Sequence, residues 1–141
     1  MPEKEEILNF WFKECKPEQW FKKKEDFDQM IENRFSDAIE DAIAGKLDNW
    51  EDTETGCLAL ILLLDQFTRN VFRDTPRAFA GDKRALVLSQ LCCDKDFLAN
   101  PDIHRRQFML MPMMHSENLA VQDAALPLFK KYASEKDYEY A

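Results

Sequence analysis

With 141 residues, a formal net charge of −8 and a pI near 4.8, the chain lacks the concentrated basic face that nucleic acid or an anionic membrane surface requires. Hydrophobic residues make up 45%, charged residues 33%, and there are only 3 glycines, which points to one globular, helix-rich domain over residues 1–141. The 4 cysteines have no CxxC spacing, which argues against a disulfide framework or a zinc site and favours buried, reduced thiols.

Apolar Ile7, Leu8, Phe10, Trp11 and Phe12 follow an acidic first turn, predicting a helix over about residues 4–15 that Pro17 ends. Trp20 and Phe21 then sit in a connector as plugs for the core. The consecutive Lys22, Lys23 and Lys24, like Arg105 and Arg106 further on, have acidic neighbours and read as solvated surface. Phe27, Ile31, Phe35, Ile39 and Ile43 recur at i, i+4, with Met30, Ala38 and Ala42 in the same stripe. That spacing predicts an amphipathic helix over residues 25–44, closed by a left-handed Gly45, with Glu32, Glu40 and Asp41 facing water. Leu47 and Trp50 pack in the loop beyond it.

Asp52, Thr53 and Thr55 offer caps for a helix of another kind. Cys57 to Leu64 is apolar on every side, as a fully buried helix is, and is far shorter than the roughly 20 residues that span a bilayer. Polar residues then arrive together: Asp65, Gln66, Arg69, Asn70, Arg73 and Arg77, interleaved with Phe67, Val71 and Phe72. The stretch nominates a site without naming its chemistry.

Thr75 and Pro76 signal a helix over residues 76–93 with Ala78, Phe79, Ala85, Leu86, Leu88 or Ser89, and Cys92 or Cys93 in its core stripe. Asn100 and Pro101 start another, to about Met111, which Pro112 stops or bends. Ser116 caps a last helix with Leu119, Gln122, Leu126, Phe129 and Tyr132 on one face and a kink at Pro127, and residues 135–141 read as the start of one more. No segment alternates with period two for long enough to predict a strand.

Asp65 and Arg69 are four apart, so carboxylate and guanidinium meet if the helix continues through both. One reading is a structural ion pair at the end of a core helix. Another adds His115, Ser116 and Glu117, with the histidine as acid or base and Arg69, Arg73 and Arg77 holding a carboxylate or phosphate. His115 and Glu117 match the first half of a zinc deaminase motif, but the P-C-x-x-C half is missing, as are HExxH and phosphate-loop motifs, so no metal or cofactor is expected. Met109, Met111, Met113 and Met114 read as core filler.

Several blocks resemble the bacterial family catalogued as domain of unknown function 924, classed with TPR-like helical folds. They include Ile7 to Phe12, Trp20-Phe21, Leu58 to Arg73, Asp82, Arg106 and Phe108. The specific ones are Leu-Asp-Gln-Phe-x-Arg-Asn at 64–70 and Pro-x-x-His-Ser-Glu at 112–117. The resemblance implies an all-α, TPR-like right-handed array of six or seven helices and no established activity. Three departures carry expectations. Thr68 stands at a usual proline, implying that the buried helix ends near Phe67 and that Arg69 and Asn70 lie in a turn. Asp74 replaces a common glycine. The family's later F-G-R-F-P-H-R-N block has no counterpart, implying that C-terminal helices are lacking.

The sequence thus supports three functions for a cytoplasmic protein. The first is a binding or scaffold module presenting Gln66, Arg69, Asn70, Arg73 and Arg77 to an acidic peptide or small anion. The second is a small-molecule hydrolase using Asp65, His115 and Glu117. The third is self-association into a homo-oligomer through a face left uncovered at the C-terminus.

Overall fold

The i, i+4 stripe of Phe27, Ile31, Phe35 and Ile39 forms a helix because only that geometry puts all four on one side; each is at most 5% exposed. A computed structural model describes residues 3–22 and 24–133, and among them the architecture is all-α. The elements are α1 (Lys4–Asn9), which runs on as a π-helical turn (Phe10–Glu14), α2 (Pro17–Trp20), α3 (Glu25–Ile43) and α4 (Glu54–Ile61). After α4 come a second π-helical segment (Leu62–Phe67), α5 (Thr68–Val71), α6 (Asp82–Asp94), α7 (Ile103–Met114) and α8 (Leu119–Tyr132). Short 3-10 turns at Asp48–Asp52, Pro76–Phe79 and Phe97–Ala99 join them. No helix among the described residues is long and apolar enough to cross a membrane.

The central rod is α4, its π-helical continuation and α5. Cys57 through Leu64 are all at most 1% exposed, because α1, α6 and α7 pack against α4 while α3 covers the later part of the rod. Thr53 caps it, its side chain accepting from the Gly56 amide at 3.1 Å. Around the rod lie the large aromatics: Phe35 and Trp11 each bring a ring centroid within 5.4 Å of Phe67. Trp20 is the expected plug, buried against Phe108 and donating Nε1–H to the Trp11 carbonyl at 2.9 Å. Phe21 is only half of one: it stacks on Phe108 but remains 59% exposed.

Several expected boundaries move, each for a local reason. The rod does not end near Phe67. Thr68 has helical dihedrals, φ −60° and ψ −41°, and its hydroxyl donates to the Leu64 carbonyl one turn back at 2.9 Å, so Arg69 and Asn70 are helical. The expected helix over residues 76–93 is two pieces, because the chain turns at Gly81 to pass the rod. A Cβ on Gly81 would stand 2.4 Å from the Leu64 carbonyl oxygen and 2.8 Å from its Cα, so only glycine allows this approach. Ahead of that turn Phe79 faces solvent instead of the core, while Ala78 is buried.

Asp74 adopts φ +66°, the left-handed conformation that the glycine implied by the resemblance would take without strain, and Gly45 closes α3 at φ +82° as expected. Asp102 caps α7, accepting from the His104 amide at 2.9 Å, and Pro112 is accommodated inside that helix. Asn118, not Ser116, caps α8; Leu119 is exposed, Ala125 and Phe129 form its buried face, and Pro127 lies within the continuous helix. The helix expected over residues 135–141 lies outside the described residues.

Candidate functional site

Asp65 lies in the π-helical segment of the rod, where i→i+5 pairing replaces the α-helical pattern. It is 0% exposed, and an ionised carboxylate so buried needs partners on both oxygens. Oδ1 accepts from His115 Nδ1 at 2.7 Å and from Arg69 at 3.2 Å; Oδ2 accepts from Gln66 Nε2 at 2.8 Å. Arg69 also donates to the Asp65 carbonyl at 2.7 Å and makes a two-pronged pair with Asp82 at 3.0 and 3.1 Å. Continuation of the helix through Thr68 is what puts Arg69 one turn above Asp65. The Gly81 approach is what places Asp82, in the first turn of α6, beside that guanidinium.

His115 ends α7, and its position fixes its protonation pattern. An ionised carboxylate only accepts hydrogen bonds, so the nitrogen facing Asp65 carries the proton, an assignment made from the hydrogen-bond network. The neutral ring therefore has N–H at Nδ1 and a lone pair at Nε2. The ring lines a cleft of about 480 Å³. One wall of that cleft is Arg69, Phe79, Asp82, Lys83 and Leu86; the other is Pro112, His115, Ser116 and Glu117. Asp65 sits behind His115 and Arg69, out of the lining. Ser116 fixes the turn to α8, its Oγ accepting from the Asn118 amide at 3.1 Å and its carbonyl from the Gln122 side chain.

The residues nominated by the sequence divide into two groups. Asp65, Gln66, Arg69, His115 and Glu117 gather at or directly behind the cleft. Asn70, Arg73 and Arg77 turn the other way and bind α3. Asp28 accepts from Asn70 at 2.8 Å and from Arg73 at 2.8 and 3.1 Å, a contact that pushes the Arg73 pKa up. Arg77 pairs with Glu40 and lies over the Phe72 ring, 4.8 Å from its centroid. These three pin α3 to the end of the rod and do not line the cleft.

The spacing of residues 76–93 assigns Phe79 and Leu86 to a core stripe and gives Asp82 and Lys83 no part in the site, yet all four line the cleft. Asp82 stood in a matching block, and Lys83 beside it, but only the break at Gly81 turns both toward the cleft. Lys83 and Glu117 have no ion-pair partner among the described residues, so one cation and one anion at the mouth are open to a ligand. Among the described residues no group of three or more His, Cys, Asp or Glu is arranged to hold a metal ion.

The model of a family described as bacterial protein of unknown function, DUF924, matches residues 7–141. The chain belongs to the DUF924 family. A solved structure of a protein of unknown function, ATU0120 from Agrobacterium tumefaciens, is similar to it at 32% sequence identity and a TM-score of 0.90. That similarity covers 97% of this DUF924 chain and 77% of the other. No curated protein matches this chain. Both DUF924 motifs that carried the resemblance meet in space: the first supplies Asp65 and Arg69, the second His115 and Glu117, joined by the 2.7 Å contact.

Proposed function

We propose that this DUF924 protein is an acid–base catalyst acting on a small molecule, most simply a hydrolase, with His115 as the group that moves the proton. The observation that carries the reading is the contact between His115 Nδ1 and the buried Asp65 carboxylate at 2.7 Å, on the wall of a cleft. Asp65 holds the ring in the tautomer that leaves Nε2 as a base, and its charge stabilises the imidazolium formed when Nε2 takes a proton.

In hydrolysis Nε2 would take a proton from water as the water oxygen attacks the substrate, then return it to the leaving group. Lys83 and the exposed edge of Arg69 are the cations able to meet negative charge developing on the attacked group. Glu117 is a second carboxylate at the mouth, able to orient the water or a donor group of the substrate. Phe79, Leu86 and Pro112 supply apolar surface for the substrate's body. The volume, about 480 Å³, fits a metabolite rather than a folded partner.

A binding module for a small anion shares part of this support, since Arg69 and Lys83 line the cleft. It draws less from the remaining cations, because Arg73 and Arg77 already have carboxylate partners in α3. The two readings separate in one experiment, in which purified protein and its His115→Ala variant are incubated with a complex mixture of small metabolites and the mixture is followed by mass spectrometry. Catalysis predicts at least one compound consumed by the wild-type chain and spared by the variant. If no compound changes, or the same compounds change equally with both proteins, the catalytic reading falls; retention of an anion without its conversion would support the binding module.

A further inference from the structure

Two turns before Asp65 the rod carries a thiol that the proposed chemistry does not use. Cys57 of α4 and Cys92 of α6 are both 0% exposed, and their sulfur atoms lie 3.7 Å apart. We propose that Cys57 and Cys92 are the site of a reversible disulfide that ties α6 to the central rod. The inference goes beyond the acid–base reading and stands or falls without it.

The geometry singles out this pair. The two sulfurs are already in contact at 3.7 Å and face each other across α4 and α6, and oxidation must close them to the bond length of about 2.05 Å. Cys92 and Cys93 are neighbours on one helix, where their side chains diverge. Cys15 is buried at the end of the π-helical turn that follows α1, and its sulfur makes no contact with either member of the pair. Either thiol can donate to the other's sulfur across this contact, so whichever loses its proton first is held as a thiolate by its partner.

With hydrogen peroxide as oxidant, the thiolate of one of the pair, written here for Cys57, attacks one peroxide oxygen, the O–O bond breaks, and that cysteine becomes a sulfenic acid with release of hydroxide. The Cys92 sulfur then attacks the Cys57 sulfur, the S–O bond breaks, and the departing hydroxide leaves as water with the thiol proton. Two thiols and one peroxide give one disulfide and two waters. Burial makes the reaction wait on local opening between α4 and α6. Once formed, the link closes a loop that contains Asp65, Arg69 and Asp82, and it fixes the helix that supplies Asp82 and Lys83 to the cleft wall.

The test exposes the full chain to hydrogen peroxide, with and without urea below the unfolding midpoint, then counts thiols after denaturation and maps cross-linked peptides. Titratable thiols should fall from 4 to two, with a dithiothreitol-reversible link between the peptides carrying residues 57 and 92. Cys93→Ser should keep the link, Cys92→Ser and Cys57→Ala should abolish it, and amide exchange over residues 82–94 should slow in the oxidised protein. The wild-type result needs no variant to fold. Four thiols surviving even in urea, a link that requires Cys93 or Cys15, oxidation that stops at separate sulfinic acids, or unchanged exchange in α6 would each overturn the proposal.

Discussion

His115 Nδ1 and Asp65 Oδ1 stand 2.7 Å apart although fifty residues of chain separate them, and each comes from a different layer of the fold. Asp65 reaches the contact from inside the most buried helix of the protein, His115 from the last turn of α7. Few side-chain pairs are so thoroughly determined by the surrounding structure. The rod cannot rotate without exposing its apolar surface, and α7 is held between α6 and α8.

Removing the charge at Asp65 while keeping its shape should disable the pair. In Asp65→Asn, one side-chain oxygen must serve His115, Arg69 and Gln66, and the new amide donor confronts another donor. The expected result is a loss of stability of about 1–3 kcal/mol, measured by urea unfolding. Turnover of whichever compound the metabolite experiment reveals should fall by up to about 10⁴-fold, as it does when a histidine loses its orienting carboxylate in other enzymes. His115→Ala should lower turnover by about 10²–10⁴-fold and cost about 1–2 kcal/mol of stability, because Asp65 Oδ1 keeps Arg69 but loses its shorter partner.

Arg73 serves as a control for site against scaffold. Arg73→Ala breaks the two-pronged pair with the largely buried Asp28 and leaves that carboxylate with Asn70 alone. The variant should lose about 1–2 kcal/mol in denaturant unfolding, since the arginine itself is partly exposed, while KM and kcat of the folded protein stay at wild-type values. A selective loss of substrate affinity would move Arg73 back into the binding site.

Gly81 tests how the cleft is assembled. A methyl group there meets the Leu64 backbone, so Gly81→Ala must push α6 away from the rod. The expected cost is about 1–3 kcal/mol. Turnover should fall with it, because Asp82 leaves Arg69. Thermal unfolding and activity should therefore decline together in this variant, in contrast to Arg73→Ala.

Much of the fold could be read from residue spacing. The stripe on α3 and the all-round apolar run of α4 each specify burial through local pattern, and both helices are where that pattern puts them. What escaped was decided by contacts distant in sequence. Whether Asp65 and Arg69 meet depended on Thr68, whose side chain satisfies a carbonyl of the same rod, whereas a proline's usual place suggested a break. The π-helical segment leaves no trace in composition. Arg73 and Arg77 looked like ligand cations because their partners, Asp28 and Glu40, lie on a helix far earlier in the chain. Phe79 fitted a core stripe only while residues 76–93 were one helix, and the Gly81 turn dissolves that stripe.

Alkaline stability follows from the buried thiols. Burial, chiefly, pushes the Cys15 pKa from 9.0 up to about 12, so between those values the unfolded chain has lost a proton that the folded chain keeps. Stability must then fall as pH rises, by at most about 1.4 kcal/mol per unit for this one group. It is fully present below pH 9.0 and lost toward about 12. Urea midpoints measured from pH 8 to 11 should fall along that limb, and Cys15→Ala should make the fall shallower.

Nitrogen-15 NMR of the imidazole rings reads directly whether Asp65 holds His115 with its lone pair on Nε2. The chain has only 2 histidines, so a His104→Asn sample assigns both ring systems. With His115 neutral, Nδ1 should carry the proton and Nε2 should be unprotonated, the reverse of the tautomer that free histidine favours. A neutral His115 ring with its proton on Nε2 would rule this out, because Asp65 could not then be the hydrogen-bond acceptor that makes His115 a base.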